Sequence, residues 1–228
     1  MQTHVMTREK SMAHHLNAIH VIGGTIGVLF GLSGINHGLF EFLQGNAPTG
    51  GLVIQAIGET QRFWPLGTEE AFTIIPNFMI SGLLAMILGA VIVYWSLFRL
   101  QSRHGATGFL VLFILLFLVG GGIGQIAFFL PTWAFLTRMD KPLTWWKKIL
   151  PQASWRALSN LWIFTLITSV LMVLVGIEIA IFGYFPGITD PNTLQNMAMS
   201  LVFGASLLNI FTFIAGIGHE LRFKYLSA

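Results

Sequence analysis

Residues 20–42 read HVIGGTIGVLFGLSGINHGLFEF, a stretch long enough to cross a bilayer that also carries residues poorly suited to lipid. It holds six glycines, two histidines and a glutamate. Crossing about 30 Å of hydrocarbon takes about 20 apolar residues in a helix. The stretch therefore predicts a membrane helix whose glycines and ionisable groups face protein.

The whole chain has the composition of a membrane protein. Of its 228 residues, 54% are hydrophobic and 9% are charged, whereas about 25% are charged in a typical soluble domain. Since we find no second domain and no internal repeat, we predict an all-α, polytopic integral membrane helix bundle that forms one domain over 1–228. Its long apolar runs predict five transmembrane segments, at about 17–43, 71–98, 106–137, 158–184 and 194–221.

Composition also excludes several classes of protein. With no cysteine, the chain has no disulfide, thiolate metal site or iron–sulfur cluster. Residues 1–15 lack the features of a cleaved signal peptide, so we expect a polar tail. The net charge of +3 comes from loop lysines and arginines, which orient membrane proteins. We predict a multi-pass protein of the cytoplasmic membrane whose partners are the bilayer and further copies or other membrane subunits, not nucleic acid.

Small residues form a stripe along the first segment. Their spacing of four and three residues places them on one face of a helix. In lipid, such a stripe lets two helix backbones approach closely. We predict that it packs inside the bundle or at a homodimer seam. The stripe consists of Gly24, Gly27, Gly31, Gly34 and Gly38, and His20, a candidate polar-site residue, lies on the same face.

The third segment leaves two topologies open. If all five segments cross, the best orientation places eight of the 12 lysines and arginines inside and four outside. If the segment breaks at Gly120–Gly124 and returns, 11 lie inside and one outside, a stronger bias of the kind that cytoplasmic loops show. Each limb would then have about 14 residues, or about 21 Å, which is too short to cross. Because re-entrant hairpins are uncommon, we favour five crossings.

An aromatic and basic stretch follows the third segment. Residues 141–162 mix Trp145, Trp146 and Trp155 with Lys147 and Lys148. Indole rings favour the headgroup layer, where the ammonium groups meet anionic lipid. We predict an interfacial elbow broken at Pro151.

Polar residues near the ends of the first two segments form one candidate site. His37 and Glu41 are four residues apart and share a helix face. Asn77 follows Pro76 at the same side of the membrane, because one loop joins the two helices. It is predicted to cap the helix or to bind a ligand at a carbonyl freed by the proline.

Two further polar residues lie within apolar segments. Glu178 is surrounded by apolar residues in LVGIEIAIFGYF. An intramembrane carboxylate needs a partner, a proton or water, and is a functional candidate by default. Gln125 follows the glycines of the third segment and is predicted to satisfy backbone groups freed by a break there.

Topology decides which of these groups can meet. With five crossings, His37, Glu41, His219 and Glu220 reach similar depth, and this set could bind a divalent metal. With a re-entrant third segment, Glu178 joins His37, Glu41 and Asn77, while His219 moves to the side of His20. That arrangement suits a protonatable gate, or a bis-histidine haem between the first and fifth segments.

Three classes of function follow. We favour transport of a small solute or ion through intramembrane Glu and His groups, because broken helices and buried polar groups are typical of transporter sites. The first alternative is a non-catalytic subunit or scaffold of a larger membrane complex. The second is a haem-binding or metal-binding component of a membrane oxidoreductase. No cofactor is required by the sequence, and we expect no enzyme activity.

Overall fold

A computed structural model describes residues 17–139 and 141–226. Its helices are α1 (Ala18–Leu43), α2 (Phe78–Phe98), α3 (Gly105–Leu118), α4 (Ile126–Leu136), α5 (Thr144–Ile149), α6 (Gln152–Phe182) and α7 (Pro191–Leu226). Its strands are β1 (Val53–Gln55), β2 (Glu70–Thr73) and β3 (Val119–Gly122), and a 3₁₀ turn follows at Ile123–Gln125. The tail predicted for 1–15 lies outside the described residues.

Four of these helices, α1, α2, α6 and α7, are apolar and long enough to cross a membrane. The chain is thus a helical membrane bundle, as the sequence predicts. Helices α1 and α6 run in one direction, and α2 and α7 run in the other. At one end, the Ala18 N–H that starts α1 donates to Glu220 near the end of α7, at 2.7 Å.

The two ends of the bundle differ in charge. We call the end where α1 begins the basic end, and the opposite end, which carries strands β1–β3, the sheet end. Of the ten described lysines and arginines, only Arg62 lies at the sheet end. The other nine lie at the basic end and are Arg99, Arg103, Arg138, Lys141, Lys147, Lys148, Arg156, Arg222 and Lys224.

The third apolar segment is a broken hairpin and does not cross. Leu116, near the end of α3, lies against Gly34, well along α1, whereas Leu136, at the end of α4, lies against Gly23 near its start. Helix α3 therefore leaves the basic end and α4 returns to it. Of the two topologies that the sequence left open, the structure has the segment broken at Gly120–Gly124 and not the five full-length helices that we favoured, because the glycines end the helix before it can span.

Neighbouring protein satisfies the backbone of this break. Gly120 has φ +111°, which L side chains rarely adopt. Strand β3 pairs with β2 in an antiparallel ladder. The Leu118 carbonyl accepts from Ile74 N–H at 2.9 Å, and the Val119 carbonyl accepts from the Ser81 hydroxyl at 2.9 Å. Irregular backbone at membrane depth requires such internal partners.

The second segment begins later than predicted. Residues 70–73 form strand β2, and helix α2 starts at Phe78. The apolar run from residue 71 spans both elements, but Pro76 disfavours helix in the residue before it. Asn77 then caps α2, since its side-chain oxygen accepts from Ile80 N–H at 3.1 Å.

The predicted elbow is present between the hairpin and α6. It consists of the short helix α5 and a break at Pro151, after which α6 begins at Gln152. The Trp155 indole N–H donates to the Leu150 carbonyl at 3.0 Å. This bond fixes the angle at which the chain enters α6.

The glycine stripe of α1 lies against protein along its length. Gly31 meets the Gly89 carbonyl of α2, and Gly38 meets the Gly82 carbonyl one heptad along. Gly24 and Gly27 lie against Ser96, and Gly34 lies against Leu116 of the hairpin. The small residues thus allow α1 to contact both α2 and the hairpin.

Candidate functional site

A cavity of about 480 Å³ opens where the tip of the hairpin meets α1, α6 and α7. We call it the hairpin pocket. Most of its lining is apolar, including Phe30, Trp64 and Phe203, and its ionisable lining residues are His37, Glu69 and Glu70. A mainly apolar cavity with a few convergent polar groups is the usual form of a small-molecule site.

His37 and Glu69 form a pair at one wall of the pocket. The His37 Nε2 atom lies 2.5 Å from Glu69 Oε2. The His37 side chain is buried, whereas that of Glu69 is 31% exposed, so the pair joins the interior to the sheet end. Burial opposes ionisation of Glu69, but the charge and hydrogen bond of His37 outweigh it and lower the pKa of Glu69.

Glycines of the hairpin tip bring backbone close to this pair. The His37 ring lies directly over Gly122, where a Cβ atom would collide with it. Gly124 lines the pocket and has no atom within 4 Å of the position of a Cβ. The backbone at Gly124 is therefore open to a molecule in the cavity.

Gln125 lines the pocket but does not take the predicted role. Its side chain is 5% exposed, and its Nε2 atom has no hydrogen-bond partner among the described residues. Strand β2 and Ser81 satisfy the freed backbone instead. The expectation for Gln125 was wrong, because pairing between strands supplies more hydrogen bonds than one amide can.

Glu41 lies behind the pocket, between α1 and the hairpin. Its side chain is 0% exposed, and neither carboxyl oxygen has a hydrogen-bond partner. The carboxyl group lies against Gly120. Among the described carboxyl groups, that of Glu41 is the most deeply buried and has the fewest hydrogen-bond partners. Glu41 is therefore a candidate functional residue.

Asn77 takes the capping role. Besides receiving Ile80 N–H, its amide donates to Asn46 Oδ1 at 2.7 Å. Both contacts tie the start of α2 to the connecting loop. Asn77 is at the same end as His37 and Glu41, but it does not line the hairpin pocket.

Glu178 lies at the sheet end, as the re-entrant topology requires, but it is exposed. Helix α6 ends only four residues later, at Phe182, where Gly183 adopts φ +62°. Glu178 is thus within about 6 Å of the helix end. The expectation that it joins His37 and Glu41 was wrong, because its side chain points away from the pocket.

His219 and Glu220 lie at the basic end, far from His37 and Glu41. His219 Nδ1 is 2.9 Å from the Ser159 hydroxyl, and Glu220 accepts the Ala18 N–H. The structure does not assemble the predicted metal quartet of His37, Glu41, His219 and Glu220, because the third segment does not cross. Within 17–139 and 141–226, no group of three or more His, Cys, Asp or Glu residues is placed to hold a metal.

His20 is at the basic end, the same end as His219, and both make contacts with neighbouring groups. The haem between the first and fifth segments stays a prediction. His20 begins the glycine stripe on α1, with its backbone N–H donating to Asn17 Oδ1 at 3.0 Å.

Sequence reasoning missed Glu69, because its partner His37 is 32 positions away along the chain. The strand that positions Glu69 shows only in the structure, since Glu-Ala-Phe-Thr at 70–73 does not alternate between polar and apolar residues. Ala71 and Thr73 are buried, whereas Glu70 is exposed, a period of two that is typical of a strand. This strand places Glu69 in the loop facing α1.

In comparisons with known proteins, no family model, no curated protein and no solved structure matches this chain.

Proposed function

We propose that this chain is a multi-pass protein of the cytoplasmic membrane with its basic end in the cytoplasm. Four apolar helices long enough to cross and one hairpin support the proposal, because this arrangement gathers nine of the ten described lysines and arginines at one end. Cytoplasmic loops carry such an excess. The sheet end, with Glu59, Glu69, Glu70 and Asp190, then faces the outside.

We infer that its function is to carry a small, mainly apolar solute across the membrane, with the hairpin pocket as the binding site. The observation that carries this proposal is the position of the broken hairpin, whose tip lines a cavity of about 480 Å³ beside the buried His37. Discontinuous helices with polar groups at such breaks are the usual site of secondary transporters.

Buried polar groups continue from the pocket toward the basic end. Ser206, Asn209 and Thr212 are three residues apart on α7 and are all buried. Asn209 reaches Thr132 of α4 at 3.5 Å. This row of buried polar side chains supports a path for the solute between α7 and the hairpin, since polar residues inside membrane helices are rare and often mark a substrate pathway.

The absence of cysteine allows a direct test. A Ser33→Cys variant places one thiol in the pocket lining. In oriented vesicles, a membrane-impermeant thiol reagent is applied from each face in turn. We expect labelling from both faces, because a carrier exposes its site alternately.

Two exposed positions serve as matched controls. A thiol at Glu59→Cys should react only from the sheet end, and one at Gln101→Cys only from the basic end. Labelling of Cys-substituted position 33 from one face alone, with both controls behaving as expected, would contradict transport.

A further inference from the structure

The hairpin tip closes directly over a carboxyl group. Gly120 lies against both oxygens of Glu41, and any side chain at Gly120 would overlap them. Glu41 is 0% exposed and is not part of the pocket lining. A packed tip therefore leaves no room for a hydrated ion beside the carboxyl group.

The hydroxyl groups beside Glu41 have no proton to give it. Ser81 donates its hydroxyl proton to the Val119 carbonyl at 2.9 Å. Thr73 accepts from Ile75 N–H and lies 2.8 Å from the Ser81 oxygen, so Thr73 must be the donor in that bond. Each hydroxyl carries one proton, and both are already used.

Only one protonation form of Glu41 fits this arrangement of hydrogen bonds. An ionised carboxylate would be buried without a donor, which is costly at membrane depth. A protonated carboxyl group carries no charge and costs far less to bury without a partner. The neutral form thus fits this buried position, whereas the charged form does not.

We propose that Glu41 is the site of the coupling proton, neutral while the hairpin tip is packed on it and ionised once the tip moves away. This inference rests on the proposed transport function and adds the identity of the coupling ion. It also explains why a glycine with φ +111° occupies position 120, since the carboxyl group and the tip must meet.

A path for the proton leads to the sheet end. The titratable groups that face Glu41 are His37 on its own helix and, beyond it, Glu69. Helix α2 contributes Ser81 and strand β2 contributes Thr73, which do not titrate. When the tip moves, the Glu41 proton passes to the water that enters beside it. The His37 imidazolium, paired with Glu69, stays next to the carboxylate that remains.

Infrared difference spectroscopy tests the protonation directly. The purified protein in liposomes at neutral pH should show the C=O stretching band of a protonated carboxylic acid. We expect Glu41→Gln to remove this band, and Glu59→Gln, a matched change at an exposed loop carboxylate, to leave it. A folded Glu41→Gln protein that keeps the whole band would overturn the proposal.

A second measurement links the proton to the tip. Gly124→Cys adds a thiol where a Cβ meets open space. We expect its labelling rate to rise several-fold on going to alkaline pH, relative to the same thiol in a Glu41→Gln background. The ratio of the two rates cancels the thiol's own pH dependence, and a ratio that stays constant with pH would refute the link.

The two proposals can fail separately. A protonated Glu41 with one-sided labelling at position 33 would retain the proton site and reject transport. Two-sided labelling without a Glu41 band would retain transport and reject the proton site. Because Gln mimics the neutral carboxyl group in shape, the Glu41→Gln protein should fold.

Discussion

Gly31 of α1 and Gly89 of α2 pack backbone to backbone, with the carbonyl oxygen of each in the place where the other would carry a Cβ atom. Gly38 and Gly82 repeat the relationship seven residues along. Two antiparallel helices can approach this closely only if both lack side chains at the contact. This close contact fixes the depth of His37 and Glu41 relative to the hairpin tip.

The first prediction concerns this contact. Gly31→Leu should destabilise the bundle by roughly 3 kcal/mol, because overpacking against backbone cannot be relieved by a side-chain shift. Thermal unfolding in detergent measures the change. Gly51→Leu, in a loop where a Cβ would meet only the Val53 carbonyl at 3.8 Å, is the matched control. Equal melting temperatures for the two variants would refute the packing argument.

The second prediction concerns the hairpin tip. Gly120→Ala should loosen it, because alanine rarely adopts φ +111° and its methyl group would meet Glu41. Such backbone strain costs about 1–3 kcal/mol. Hydrogen exchange over residues 116–126 should become faster, while exchange in α6 stays unchanged. Gly124→Ala has open space at its Cβ, so its hydrogen exchange should match that of the parent protein. If Gly120→Ala also exchanges like the parent protein, the prediction is wrong.

The third prediction concerns pH. The pKa of Glu69 is lowered from its ordinary value of 4.5, since His37 outweighs the effect of burial. The pair therefore stabilises the fold fully above the ordinary pKa, and this stabilisation is lost as the pH falls through the lowered pKa. We expect the parent protein to lose more thermal stability in acid than Glu69→Gln does.

An exposed carboxylate on the same face controls for general acid effects. Glu59→Gln should follow the parent protein throughout the titration. If Glu69→Gln loses as much thermal stability in acid as the parent protein, the His37–Glu69 pair does not contribute to the stability of the fold.

The fourth prediction separates function from stability. Gly124→Leu adds a side chain to the hairpin pocket without meeting protein at its Cβ. We expect an unchanged melting temperature but loss of two-sided labelling at Ser33→Cys, because a filled pocket cannot alternate. Retained two-sided labelling with normal stability would place the transport path elsewhere.

The fifth prediction concerns the basic end. Glu220 accepts the first N–H of α1 at 2.7 Å, where a negative charge is favourable. Glu220→Ala should destabilise the protein by about 1 kcal/mol, and Glu220→Gln by less, because it keeps the acceptor oxygen. Thermal unfolding in detergent measures the stability of both variants. An equal loss of stability in Glu220→Ala and Glu220→Gln would count against the capping role.

The sequence by itself determined that the chain is a helical membrane bundle. Apolar length suffices for that conclusion, because hydrocarbon leaves backbone groups no partner outside a helix. The glycine spacing of α1 also predicted where helices approach closely, and the glycines of the third segment offered the break as the alternative to a full crossing. These are local properties, readable from neighbouring residues.

Only the tertiary structure decided whether the third segment crosses and which ionisable groups meet. The pairing of β2 with β3 joins residues about 50 positions apart and supplies the hydrogen bonds that a break needs, and no local pattern records it. Once the hairpin folds back, His37 meets Glu69 from a loop, Glu41 meets Gly120, and His219 and Glu220 move to the opposite end. The sequence identified the ionisable side chains, but which of them come together depended on backbone pairing between residues far apart in the chain.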